Sequence, residues 1–253
     1  WMEVFREKGI VPDEVYTGLN YGSDRHSHSE LNDYLTAVAA IAVKRKKESR
    51  QYQEIISSIL DSYLGKVPES FTWKGKSYTP VTFAESLNIN PGDYVEITSF
   101  THFPFFTQGV LEVPDNWRME RFYNVPLDDL IRIMDYSLEN GFTVNWDGDT
   151  SEKGFDHRTG VASVPEPVVT QESRQAGFEN FTTTDDHLMH ITGISKDQKG
   201  ERYYITKNSW GPSSNSHGGY LNMSENYVRA KTIFIMVHRN GIAPALRSRL
   251  GIN

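Results

Sequence analysis

His187 and Asn208 are the residues of this sequence whose types and spacing could do covalent chemistry. His187 opens the run His187-Leu188-Met189-His190-Ile191-Thr192-Gly193-Ile194, and Asn208 follows Tyr203-Tyr204-Ile205-Thr206-Lys207. An imidazole takes a proton from a nucleophile when one ring nitrogen is held by a hydrogen-bond acceptor and the other is left free. A carboxamide oxygen supplies that acceptor, as the aspartate does in Ser-His-Asp triads and the asparagine in their Cys-His-Asn counterparts. The pair therefore provides a base and its orienting group. The thiol that would complete it is absent, because the 253 residues include no cysteine.

The elements that must position the pair read as a β-hairpin. An apolar, β-branched run follows His187, a polar turn with Gly200 occupies residues 195–201, and a second run leads from Arg202 into Asn208. With its midpoint near Gln198, the two arms bring His187 and Asn208 to the same open end, roughly opposite, where cross-strand Cβ atoms stand about 4.5–5.5 Å apart. His190 competes for the role of base. Three residues along a strand from His187, it points to the other face. The plain alternative is that the histidines and Asn208 are ordinary hairpin residues.

The residues around the pair bear on that choice. Asn208-Ser209-Trp210-Gly211, followed by Gly218-Gly219-Tyr220-Leu221, resembles the asparagine loop of the papain-like cysteine peptidases, and the strand opened by His187 resembles their histidine strand. The resemblance implies His187 as base, Asn208 as its orienting amide and Trp210 as the ring that shields their hydrogen bond from water. Gly9-Ile10-Val11-Pro12-Asp13-Glu14-Val15-Tyr16, Phe71-Thr72-Trp73-Lys74-Gly75-Lys76, Pro91-Gly92-Asp93-Tyr94-Val95-Glu96-Ile97 and Tyr123-Asn124-Val125-Pro126-Leu127 are similar to the bleomycin hydrolase and aminopeptidase C branch. It implies an α+β fold of the papain-like kind, present in part, with an inserted helical hairpin and a β-sheet lobe carrying the His and Asn.

On that basis the chain is expected to be the C-terminal portion of such an enzyme, with the catalytic Cys and the Gln oxyanion donor on a segment outside it. Papain-type enzymes place the His about 130–150 residues after the Cys, whereas 186 cysteine-free residues precede His187 here, an excess that fits the insertion-bearing bleomycin hydrolase branch. The expected divisions are the end of a helical lobe (1–22), a helical insertion with a small β-hairpin (23–90), a β-rich lobe (91–241) and a tail (242–253).

Composition narrows the function classes less sharply. A 38% apolar, 12% aromatic chain of this length can build a real core. A net charge of −7 argues against nucleic-acid binding, which needs an electropositive footprint. The one basic run, Lys44-Arg45-Lys46-Lys47, falls where a helix should end, a place that favours cations by about 0.3–1 kcal/mol each. No stretch reaches the roughly 18 apolar residues needed to cross a bilayer. The compartment is left open between cytoplasmic and periplasmic or secreted. Asp24, His26 and His28 lack the further carboxylate or Cys pattern of a tetrahedral metal site. No metal or organic cofactor is called for.

Elsewhere, two amphipathic helices carry Leu31, Tyr34, Leu35, Val38 and Ile41 on one and Tyr52, Ile55, Ile56, Ile59 and Tyr63 on the other. They serve either as plain structure or as an oligomer contact, since in the bleomycin hydrolase branch the corresponding region helps build a hexamer. Pro126, an apolar stripe from Leu127 to Leu138, and Gly141 define another helix. Residues 142–146 then read as a strand, whose Val144 and Trp146 would, by the papain resemblance, border a substrate cleft, the alternative being core packing. Residues 154–186 are expected to be loop-rich. The tail after Gly241 would, by resemblance, run back so that the Asn253 carboxylate gates a substrate's amino group, although it is shorter than in that branch and lacks its small-residue ending.

Two function classes follow. The first is a thiol peptidase acting on peptides through Cys-His-Asn, inactive in this chain alone. The second is a pseudopeptidase or peptide-binding subunit that keeps the cleft without the Cys.

Overall fold

The computed structural model of the chain describes residues 2–22 and 26–252 and divides into two compact units, Trp1–Pro91 and Gly92–Asn253. In the first unit, α1 (Met2–Lys8), α2 (Ser29–Arg45) and α3 (Tyr52–Leu64) precede a β-hairpin of β1 (Phe71–Trp73) and β2 (Lys76–Tyr78), then α4 (Pro80–Ser86). The hairpin turns on Lys74 and Gly75, both at positive φ (46° and 79°), which matches the twist of its strands. A capping box between Thr79 and Thr82, with Pro80 in the first turn, starts α4. α1 ends at Gly9, whose φ of +72° and contact with the Pro80 backbone leave no room for a side chain. The apolar stripe of the helical hairpin is only partly covered: Leu31 is buried, α3 has no buried residue, and Tyr34, Ile41 and Ile55 are exposed.

The second unit is built on a ten-stranded mixed sheet. Its strands are β3 (Tyr94–Thr98), β4 (Gln108–Val110), β5 (Arg121–Asn124), β6 (Val144–Gly148), β7 (Phe155–Asp156), β8 (Val161–Ala162), β9 (His187–Lys196), β10 (Arg202–Lys207), β11 (Tyr220–Ser224) and β12 (Thr232–His238). Their spatial order is β4-β5-β3-β12-β6-β9-β10-β11-β8-β7, with only β3/β5 and β8/β11 parallel. Helices α5 (Leu127–Glu139), α6 (Gln171–Glu179), α7 (Glu225–Lys231) and α8 (Pro244–Arg249) complete it.

α5 forms where its stripe predicts. Its Leu130, Ile133 and Met134 cluster with Tyr227 and Val228 of α7 and with Trp146, Ile191, Tyr204 and Ile235 of the sheet. Each such apolar side chain contributes about 1.5–3 kcal/mol on burial. The loop-rich stretch holds a helix as well. α6 has a capping box between Thr170 and Ser173, but its buried residues are Arg174 and Gln175, so no apolar periodicity announces it. The last residues join the core, with Ile242, Leu250 and Ile252 all buried in the main cluster. Asn253, expected as an amino-group gate, and Asp24 of the histidine-rich link lie outside the described residues.

Candidate active site

The His-Asn pair depends on a one-residue slip in the sheet. β9 and β10 pair from Arg202 opposite Lys196 to Ile205 opposite Gly193, after which Thr206 stands opposite Ile191 and Lys207 opposite His190. Thr192 is the extra residue. Because side chains alternate, one inserted residue moves everything beyond it to the other face. Beyond the slip Ile191, Met189 and His187 face inward while Leu188 and His190 are exposed; β10 has no insertion, so Tyr204, Thr206 and Asn208 stay inward throughout. Continuing the register sets Asn208 beside Met189, so His187 is its diagonal neighbour on the same face rather than its direct partner. At that separation, about 7–8 Å between backbones, two long side chains still meet.

They do meet: His187 Nε2 lies 2.8 Å from Asn208 Oδ1. The same oxygen accepts the Ser209 backbone N–H at 2.7 Å, which identifies it as the oxygen of the carboxamide. His187 therefore carries its proton on Nε2 and leaves Nδ1 as the free base. Asn208 is only 4% exposed, and its own N–H is held by the Gly219 carbonyl at 3.0 Å. The Trp210 ring, itself half exposed, lies 5.3 Å from the His187 ring and 4.7 Å, edge-on, from that of His157.

His187 begins β9 opposite Gly148 of β6. A side chain at Gly148 would collide with the Lys231 carbonyl and with the Trp146 indole, which fills that space. Val144 and Trp146 are wholly buried, and the Trp146 indole N–H donates to Thr232 Oγ1 at 2.7 Å. The expectation that they border a substrate cleft is corrected here. They alternate with the outward residues of β6, and their inward face is the one that α5 and α7 cover, so they support the sheet beneath His187 and offer a ligand no surface.

The chain reaches His187 through an acidic turn. Asp186 Oδ1 accepts from the Thr150 backbone N–H and hydroxyl at 2.8 and 3.0 Å. Asp149 is buried, which opposes its ionisation, but hydrogen bonds from Ser151 and Thr184 and the Lys231 ammonium 3.5 Å away outweigh this and hold it below the usual carboxylate range. Lys231 also pairs with Glu152. On the opposite sheet face from His187, burial and then the hydrogen-bonded Asp185 carboxyl push Asp147 far up. Two adjacent carboxyls in that setting cannot both ionise.

Sequence spacing did not point to two further residues. His157 Nδ1 lies 3.4 Å from Asn208 Nδ2, and His157 Nε2 lies 2.8 Å from Ser214 Oγ. Both sit in loops without a motif of their own, and only the tertiary fold brings them to Asn208. Cavities of about 630 and 670 Å³ lie beside Arg229 and Gln171 and along α3 respectively, and neither is lined by His187 or Asn208. Among the described residues no group of three or more His, Cys, Asp or Glu could hold a metal ion, and no helix is long and apolar enough to cross a membrane.

Comparison with known proteins places the chain in a family. The model of the Peptidase C1-like family matches residues 2–250. The crystal structure of PepW from Lactobacillus rhamnosis HN001 superposes with a TM-score of 0.73 at 18% identity, over 98% of this chain and 63% of that one. This chain thus spans less than two thirds of that protein. The bromelain protease of Ananas comosus with the E64 inhibitor (TM-score 0.24, 17% identity, 37% of this chain and 39% of that one) and the Amb a 11 cysteine protease of ragweed pollen in its proform (0.28, 16%, 44% and 30%) match in smaller parts. No curated protein matches. With its mixed α+β fold and a family match over nearly its whole length, the chain belongs to the Peptidase C1-like family, the papain-like cysteine peptidases.

Proposed function

We propose that this chain carries the base and orienting amide of a cysteine-type peptidase of the aminopeptidase C and bleomycin hydrolase kind, and that its thiolate comes from sequence outside these 253 residues. The observation that carries the proposal is the 2.8 Å bond between His187 Nε2 and Asn208 Oδ1, which leaves His187 Nδ1 free to receive a thiol proton. In the completed site a Cys thiolate, paired with the His187 imidazolium, attacks the peptide carbonyl. The ring then protonates the leaving amine, and water resolves the thioester. Trp210, ring to ring with His187, keeps water from the bond that sets the tautomer. As in that branch, we propose aminopeptidase action with Asn253 as the amino-group gate, and assembly into a homo-oligomer through the exposed part of the α2 and α3 stripe, Tyr34, Ile41 and Ile55.

The competing reading is a pseudopeptidase or peptide-binding subunit, favoured by the absence of cysteine. The longer protein decides between them. Joined to its own upstream segment, the chain should hydrolyse an aminoacyl-coumarin substrate, and iodoacetamide should abolish that activity. An upstream segment without cysteine, or a joined protein without thiol-dependent turnover, would establish the pseudopeptidase reading instead.

A further inference from the structure

The orienting amide of Asn208 is itself oriented. A carboxamide nitrogen can only donate, so Asn208 Nδ2, 3.4 Å from His157 Nδ1, gives a proton to that ring nitrogen. His157 Nδ1 is then an acceptor, and the ring's proton sits on Nε2, 2.8 Å from Ser214 Oγ. The Ser214 hydroxyl passes the chain on to the Gly211 carbonyl at 2.6 Å. Every donor along His187, Asn208, His157, Ser214 and Gly211 meets an acceptor in one direction. A reversed Asn208 amide would set its N–H groups against the N–H of Ser209.

The segment that carries His157 is fastened to the loop that carries Asn208. Asn215 Nδ2 donates to the His157 carbonyl and to the Tyr220 carbonyl, each at 2.8 Å, and His217 Nε2 reaches the Thr159 carbonyl at 3.1 Å. His157 is 8% exposed, with the Trp210 ring against it. Burial, and then the nearby charge of His187, lower its pKa against the opposing pull of Asp156, so the ring is neutral at neutral pH.

We infer that His157 is a positioning residue: as a neutral imidazole anchored on Ser214, it holds the Asn208 carboxamide with its oxygen turned to His187. The inference rests on the peptidase reading only for the use to which the held imidazole is put. A protonated His157 has no acceptor to offer and releases the amide.

The test reads the ring directly in the 253-residue chain, with neither cysteine nor peptide. In a ¹⁵N-histidine-labelled sample, solution NMR follows the His187 Nε2–H and its exchange with water. The signal should be present at neutral pH, and His157→Leu should accelerate its exchange about tenfold, the scale of one hydrogen bond. His157→Gln, whose side-chain oxygen replaces the acceptor without titrating, should stay near wild type. On acidification the wild-type rate should step upward as His157 titrates, a step missing from His157→Gln. Unchanged exchange in His157→Leu, or no protected His187 N–H in the wild type, overturns the inference. Should His157→Leu fail to fold, Ser214→Ala loosens the anchor instead and should speed exchange several-fold; no change overturns it equally. If the joined, longer protein proves inactive while His157→Leu still frees the ring, the positioning stands and only the peptidase reading falls.

Discussion

His187 and Asn208 share a face of the sheet because the register between β9 and β10 skips Thr192. Without that insertion the alternation of β9 would turn His190 inward beside Asn208 and send His187 to the outer face. The base is therefore chosen by a bulge, and the two histidines should differ sharply in function.

If the thiolate comes from outside these residues as proposed, His187→Ala in the completed peptidase should lower kcat/KM by roughly 10²–10⁴, the range of a positioned general base. Asn208→Ala should cost less, since a thiolate still partly holds the imidazole, and His190→Ala should change turnover little. Steady-state kinetics with an aminoacyl-coumarin substrate make the comparison. A larger loss at His190 than at His187 would show that the bulge has been misassigned.

The chain by itself should have no iodoacetamide-sensitive peptidase activity, because none of its residues supplies a thiol. Alkylation-sensitive hydrolysis by the purified chain is the contrary result.

Asp147 should make stability fall as pH rises. Its folded-state pKa is raised by burial and by Asp185, so above about pH 4 the unfolded chain releases a proton that the fold retains, withdrawing up to about 1.4 kcal/mol per pH unit. Asp149, held low, is ionised in both states by pH 5 and adds no slope above it. Between pH 5 and pH 8 the urea midpoint of the wild type should drop, and that of Asp147→Asn should drop less. Parallel curves would mean that the carboxyl is ionised in the fold.

The amino-group gate needs a narrower test than removal of the whole tail. Leu250 and Ile252 are buried, and truncating such side chains typically costs about 2–5 kcal/mol, which would confound any change in specificity. Deleting Asn253 alone from the completed enzyme should raise cleavage of N-blocked peptides relative to free-amine ones. An unmoved ratio removes the tail as the gate.

If α2 and α3 form the oligomer contact, Ile41→Glu should lower the assembly state. Ile41 is 57% exposed, so the single chain loses little by the change. Sedimentation velocity that gives one species for both proteins refutes the contact.

What the sequence by itself determined was local. The apolar stripe and flanking Pro126 and Gly141 specify α5, the polar turn around Gly200 specifies the β9–β10 hairpin, and the residues after Asn208 mark its loop, because side-chain period and backbone freedom act over a few residues. The count of cysteines likewise needs no fold. Tertiary structure decided what depends on pairing between distant segments. The register skip at Thr192 sets which histidine faces Asn208, and nothing in the alternation of β9 alone reveals it. The covering of β6 by α5 and α7 turned Val144 and Trp146 from candidate cleft residues into core. His157 and Ser214 reach Asn208 only when β7 and β8 close against the loop after β10, since a hydrogen bond between segments so far apart in sequence leaves no periodic trace in either.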